Sequence, residues 1–242
     1  MGTVNKWIWI SLYAVAMGYL EASVVIYLRA IYYPEGFDFP LKVMDHRLAV
    51  TEIYREAATI IMILAVGILM SRQRLQRFAW FLVVFGIWDI AYYAFLKLLI
   101  GWPGSVLTFD ILFLIPSVWT GPVLAPLINS LTMIILAAVI LINKKGDAPL
   151  IRLGAVVWIL LVLGSLIILA AYMKDYTGFV LEYARINPTG RVSWVEFTSF
   201  LPSEFIPRSF DWFLFSSGVL IHISAVGIIL FRKRGMRLRV AD

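Results

Sequence analysis

The chain has no cysteine, only two histidines and few charges: 15% of its 242 residues are Asp, Glu, Lys or Arg. Without cysteine there is no disulfide, no thiolate metal site and no thiol nucleophile. The two histidines, His46 and His222, fall at different depths, which argues against a bis-histidine haem. The G-x-S-x-G elbow, H-E-x-x-H, phosphate loops and dinucleotide fingerprints are absent. So are internal repeats of 20 to 50 residues and any inverted duplication of the transporter kind. A soluble domain would carry about a quarter charged residues. The shortage of charge therefore excludes an ordinary soluble enzyme or nucleic-acid-binding domain.

Apolar residues take the place of charge, at 62% of the chain. Runs of roughly 20 recur, each enough for about 30 Å of hydrocarbon. The pattern predicts an all-α integral membrane protein, a six-transmembrane-helix bundle forming one membrane domain over 1–242. Its spans lie near 7–28, 49–70, 78–100, 122–142, 150–172 and 212–231. The first run continues to Leu28, past the length of a signal-peptide core, and reads as an uncleaved helix.

Charge sets the expected orientation. Lys6, Arg72, Arg74, Arg77, Lys144, Lys145, Arg152 and the tail "FRKRGMRLR" all fall on one side of the spans, with only Asp147 and Asp242 as acids there. The positive-inside rule makes that side cytoplasmic and the topology N-in/C-in. The formal charge of +6 is thereby explained by orientation and contact with anionic lipid. The lipid bilayer is the expected partner, and no nucleic acid is needed.

Three segments face the other side. Residues 29–48 form a loop marked by Pro34, Gly36 and Pro40. Residues 101–121, "GWPGSVLTFDILFLIPSVWTG", are too apolar for a loop and too broken by proline for a span. They predict a short interfacial or re-entrant helix near 110–120, with Asp110 as its N-cap. Residues 173–210, rich in aromatics such as Trp194, Phe197, Phe200 and Phe205, predict a partly helical outer cap.

Ionisable groups inside the spans carry the functional signal, because a charge at the bilayer centre costs about 2.5 to 3.5 kcal/mol even on insertion scales. Span two places Glu52, Glu56 and Thr59 on one stripe, with Arg55 on its shoulder. Glu52 and Arg55 are spaced to pair, but one arginine cannot neutralise both glutamates. Glu21 in span one, Asp89 in span three and His222 in span six come out in the same outward-facing layer. The small-residue ridge Ala14, Gly18, Ala22 turns Glu21 toward a neighbour. Tyr93 shares the face of Asp89, and span five, with little that is polar, is expected to face lipid. Trp88, Tyr92, Tyr93 and Trp102 read as a belt and packing, or as a quinone or headgroup pocket. Lys97 is expected to snorkel outward.

The candidate ligand-binding pocket is thus Glu21, Glu52, Arg55, Glu56, Asp89, Tyr93 and His222. Three readings compete for it. As a divalent metal site it would use Glu21, Glu56, Asp89 and His222, an oxygen-rich set with one imidazole. As a proton or cation pathway its carboxylates would titrate. As structure, Glu21, Glu52, Glu56 and Arg55, with Arg29, would neutralise one another and fix helix register.

The stretches "GYLEASVVIYLRAIYYPEGF", "YREAAT", "WDIAYYAFLKLLIGWP" and "FDILFLIPSVWTGPVLAP" resemble a pattern of small prokaryotic integral-membrane proteins. The resemblance covers about the first 130 residues. It implies the cell membrane of a bacterium or archaeon and no particular activity. A comparison with membrane ceramidase-like hydrolases fails, because those need more intramembrane histidines than His222 alone. The sequence thus predicts an outward-facing acidic pocket binding a cation or a polar lipid headgroup, with metal-assisted hydrolysis as its natural chemistry if it is an enzyme. The rivals are a small proton- or cation-coupled transporter and an accessory subunit bound to a membrane-protein partner or a second copy.

Overall fold

The computed structural model describes residues 3–142, 144–145, 148–149, 153–186, 192–193 and 196–241; side chains are described for these except 3, 144–145, 148–149, 198–199 and 232–241. Of the groups used for orientation, Asp147, Arg152 and Asp242 lie outside the described residues, as does Trp194. So do the side chains of Lys144, Lys145 and the basic tail.

The protein is a helical bundle with one substantial hairpin and a minimal antiparallel pair of two-residue strands, Lys144–Lys145 with Ala148–Pro149, between the fourth and fifth long helices. Helices α1 (Thr3–Tyr32), α2 (His46–Leu69) and α3 (Arg74–Ile100) precede strands β1 (Phe109–Phe113) and β2 (Trp119–Pro122). Then come α4 (Leu124–Ile142) and α5 (Ala155–Ile186). A π-helical turn, Glu196–Phe200, runs into the short α6 (Leu201–Glu204), and α7 (Trp212–Ala241) ends the chain. Five helices are long and apolar enough to cross a membrane: α1, α3, α4, α5 and residues Trp212–Phe231 of α7. Helix α2 is also long, at 24 residues, but its first turns carry Arg47, Glu52, Arg55 and Glu56.

Contacts at the helix ends sort the bundle into two poles. At one, Lys6 Nζ donates to the Met70 carbonyl (3.2 Å) and Arg77 Nε to the Ser71 carbonyl (2.8 Å). Trp7 and Trp80 pack there with ring centroids 5.0 Å apart. The α1–α2 connection, the hairpin, the outer part of α5 and the start of α7 gather at the opposite pole. Asp45 opens α2 there by accepting from the Arg47 and Leu48 amides, at 3.0 and 3.4 Å. Gly101 closes α3 in the left-handed region (φ 70°), a conformation glycine adopts without a Cβ penalty. Lys97, read from the sequence as snorkelling, covers that helix end by donating to the Gly101 and Pro103 carbonyls, at 3.0 and 2.8 Å.

Small residues set which helices touch. A Cβ on Gly18 would sit 2.7 Å from Ala91 Cβ and 2.8 Å from the Trp88 carbonyl. The Ala14, Gly18, Ala22 ridge therefore brings α1 against α3, with both alanines fully buried. Helices α5 and α7 meet in the same way, at Gly164 and Gly218: a Cβ on Gly218 would lie 2.8 Å from the Gly164 carbonyl. The expectation that span five faces lipid holds for one side only, where Val156, Ile159, Val162, Leu163 and Leu166 are exposed. The helix face of Leu161, Gly164, Ile168, Ala171 and Tyr172 is buried.

Two further expectations are corrected. The segment near 110–120 is an antiparallel hairpin, not a re-entrant helix: Asp110 pairs with Gly121 and Ile111 with Thr120. A hairpin satisfies its backbone by cross-strand hydrogen bonds, which is what an irregular segment enclosed by helices requires. The outer cap does not begin at residue 173 either. Helix α5 continues unbroken to Ile186, because no proline interrupts the chain until Pro188. The described part of the remaining cap folds back on this extension. Tyr176, Leu201 and Phe205 bury there against Val118 of the hairpin, and Tyr176 Oη donates to the Phe197 carbonyl at 3.3 Å.

Candidate functional site

The polar groups of α1, α2 and α3 converge beneath the hairpin. Arg55 is the centre of the first cluster: its Nη1 donates to Glu21 Oε1 across the helix interface, and its Nε donates to Glu52 Oε2 at 2.8 Å. The i, i+3 spacing of Glu52 and Arg55 places both on one face of α2. The α1–α3 contact at Gly18 holds α1 in the register that delivers Glu21. Glu52 is buried, while the Glu21 and Arg55 side chains keep 12% and 22% exposure, so the three-group cluster is largely covered by protein. Thr59 lies one turn further, with its Oγ1 3.4 Å from Glu21 Oε2.

Glu56 turns to the hairpin, where its Oε2 accepts the Leu114 amide at 2.8 Å. Asp89 turns to α4 and accepts the Ser130 hydroxyl at 2.7 Å. Gly86, one turn before Asp89, lets α4 approach: a Cβ there would lie 2.8 Å from the Ser130 carbonyl. Neither Glu56 nor Asp89 is ion-paired among the described residues.

A second ion pair closes the site above. Asp110, 2% exposed on β1, accepts from Arg29 Nη2 at 3.2 Å and from Tyr93 Oη at 3.3 Å. The Arg29 guanidinium lies over two rings, 3.8 Å from the Trp102 centroid and 4.3 Å from that of Phe37. Such stacking suits the weakly hydrated, planar guanidinium. Asp110 is thus a buried ion-pair partner and not the helix N-cap expected from its sequence context.

Glu21, Arg55, Glu56, Asp89, Tyr92 and Tyr93 line a cavity of about 60 Å³ between these helices and β1. Since water occupies roughly 30 Å³ in the liquid, the space suits one or two waters or a bare ion. The structure brings together Glu21, Glu52, Arg55, Glu56, Asp89 and Tyr93. His222 stands apart, its Nε2 3.0 Å from the Leu161 carbonyl and 3.3 Å from Ser165 Oγ at the α5–α7 contact. The metal set of Glu21, Glu56, Asp89 and His222 is therefore not assembled. Among the described residues no group of three or more His, Asp or Glu side chains is placed to hold a metal ion.

Sequence reasoning gave Arg29 only a marginal place, and missed Ser130 and the role of Asp110. No spacing rule links Arg29 to a residue 81 positions away, and a hairpin between helices leaves no helical period to read. The one available signal was charge balance: Asp110 is an acid in an apolar stretch, opposite an arginine at the end of span one.

The site sets five carboxylates, Glu21, Glu52, Glu56, Asp89 and Asp110, against two guanidinium groups, Arg29 and Arg55. Ionised carboxylates are costly in an apolar interior unless paired. A positive charge entering this cavity would find its counter-charges already in place. The chain matches no family model, no curated protein and no solved structure.

Proposed function

We propose that this is an integral membrane protein whose acidic cavity binds a proton or small monovalent cation, with Glu56 and Asp89 as the binding groups. The observation that carries the reading is that, among the described residues, these two carboxylates have no ion-pair partner at a cavity lined by Glu21 and Arg55. Arg29 matches Asp110, and Arg55 is shared by Glu21 and Glu52, so one negative charge of that cluster and the carboxylates of Glu56 and Asp89 have no arginine to balance them. The cavity is too small for a phosphate-bearing headgroup, so lipid binding and lipid hydrolysis fit less well. Its donor set argues equally against a caged divalent ion.

In this proposal α2 is the sixth span and its charges are sheltered by α1, α3 and the hairpin. Both termini are cytoplasmic in the cell membrane of a prokaryote, and the cavity communicates with the outer side. The absence of cysteine makes the topology directly testable. A single cysteine at Glu35 should react with a membrane-impermeant maleimide in intact cells, and one at Arg72 only after permeabilisation. Proton binding is tested by infrared pH titration of the purified protein beside Glu56→Gln and Asp89→Asn. The expected result is a pH-dependent protonated-carboxyl band that one variant lacks. A wild-type spectrum without that band, together with no saturable uptake of sodium or potassium, would return the cluster to a purely structural role.

A further inference from the structure

A second cavity, of about 350 Å³, lies between α3, β2, α4, α5 and α7. Its walls are mainly apolar, with Phe78, Phe81, Phe85 and Met133 among them; Asn129, Thr132, Ser165 and His222 add neutral polar side chains, and no Asp, Glu, Lys or Arg lines it. Helices α4 and α5 barely touch, and Ser165, which lines the cavity from α5, is exposed. A molecule entering here comes from the hydrocarbon.

Two lining residues carry buried polar atoms with no hydrogen-bond partner among the described residues, Trp119 Nε1 and Tyr172 Oη. Their rings are stacked at 5.9 Å and 11°, and Tyr172 is 3% exposed. A buried indole N–H only donates, and a phenol donates readily, so both await acceptors. Buried donors left unpaired are uncommon and costly. An acyl chain offers no acceptor, and a charged headgroup would meet no counter-charge. A neutral flat ring bearing carbonyl oxygens answers both the donors and the aromatic walls.

We propose that this cavity is a lipid-accessible binding site for a membrane-soluble quinone, entered between α4 and α5. Trp119 and Tyr172 donate to its carbonyl oxygens, while the phenylalanines of α3 pack on its ring. Only binding is inferred. The site is distinct from the acidic cavity, although the hairpin contributes to both through Trp119 and Ile111.

The test is calorimetric titration of the detergent-purified full chain with decylubiquinone. Saturable binding of one quinone per chain is expected. Tyr172→Phe, which removes only the hydroxyl, should weaken it about tenfold, the equivalent of one well-made hydrogen bond. Ser165→Trp, which fills the entrance and gives up the Ser165–His222 contact, should abolish binding, with its melting temperature read alongside to show that the fold is kept. Glu56→Gln, which lies at the other cavity, should bind as wild type does. The proposal is overturned by absence of saturable binding to wild type, or by wild-type affinity in both Tyr172→Phe and Ser165→Trp. It is equally overturned if hexadecane displaces the quinone at matched concentration, because the cavity would then be an acyl-chain slot.

Discussion

The Leu114 amide donates to Glu56 Oε2 at 2.8 Å, tying the end of a β-hairpin to a carboxylate in the second turn-pair of α2 across 58 residues of sequence. Glu56 therefore serves two ends at once. One oxygen satisfies a backbone group that the hairpin turn leaves without a strand partner, and the side chain faces the cavity that also holds Asp89.

This double role separates two substitutions at Glu56. In Glu56→Gln the amide oxygen still accepts from Leu114, so stability should hardly change while the ionisable group is lost. Glu56→Ala strands the Leu114 N–H and should cost about 1–3 kcal/mol. Thermal unfolding in a single detergent, with both variants beside wild type, checks the difference.

Arg55 is the only guanidinium shared by two carboxylates in the described structure, and its side chain is 22% exposed. Arg55→Met should destabilise the fold by about 3–5 kcal/mol, because Glu21 and Glu52 would be left enclosed without a counter-charge. Adding Glu21→Gln and Glu52→Gln to that variant should restore most of the loss. A double- and triple-mutant cycle of unfolding free energies reads the coupling directly.

Asp211, which precedes the membrane-spanning part of α7, accepts from Lys174 Nζ of α5 at 2.5 Å and from the Leu214 amide at the start of α7. The Lys174 hydrogen bond, followed by that amide, holds the Asp211 carboxyl below its usual range. A carboxyl depressed in the folded state contributes stability above its unfolded pKa, near 3.9, and loses it as the pH falls through the folded value. The melting temperature of wild type should therefore fall more steeply on acidification below about pH 4 than that of Asp211→Asn, which keeps a capping side chain. Equal slopes would show that the pair carries no linked stability.

The α5–α7 contact predicts opposite effects at two glycines of one helix. Gly218→Ala places a methyl group 2.7 Å from Ile168 Cγ1 and should destabilise by about 1–3 kcal/mol. Gly227→Ala meets nothing within 4 Å and should be neutral, or stabilising by up to about 1 kcal/mol. Both are read from unfolding midpoints.

Much of the bundle was legible in the residues. Apolar runs located the helices of the five long apolar segments, and the Ala14, Gly18, Ala22 spacing identified the face of α1 that meets α3. The i, i+3 pair Glu52–Arg55 was also readable, because helix geometry alone brings those groups together. The hairpin was not. A short apolar run such as "FDILF", enclosed on both faces, has no alternation to distinguish it from buried helix. With the hairpin unseen, neither the Arg29–Asp110 pair nor the Glu56–Leu114 contact was visible. His222 was assigned to the acidic layer on depth alone, and depth does not fix azimuth: the Gly164–Gly218 crossing turns it toward α5 instead.

The sequence by itself determined that this chain belongs in a membrane, where its helices run, and that it carries more buried carboxylate than arginine. Those properties follow from composition and local period, which each segment carries whatever its neighbours do. Only the tertiary structure decided which carboxylates are paired and which are left over, because pairing depends on helix rotation and on contacts between distant segments. That selection, Glu21, Glu52 and Asp110 held by arginines and Glu56 and Asp89 not, is set by glycine-mediated helix approach and by one hairpin inserted above them.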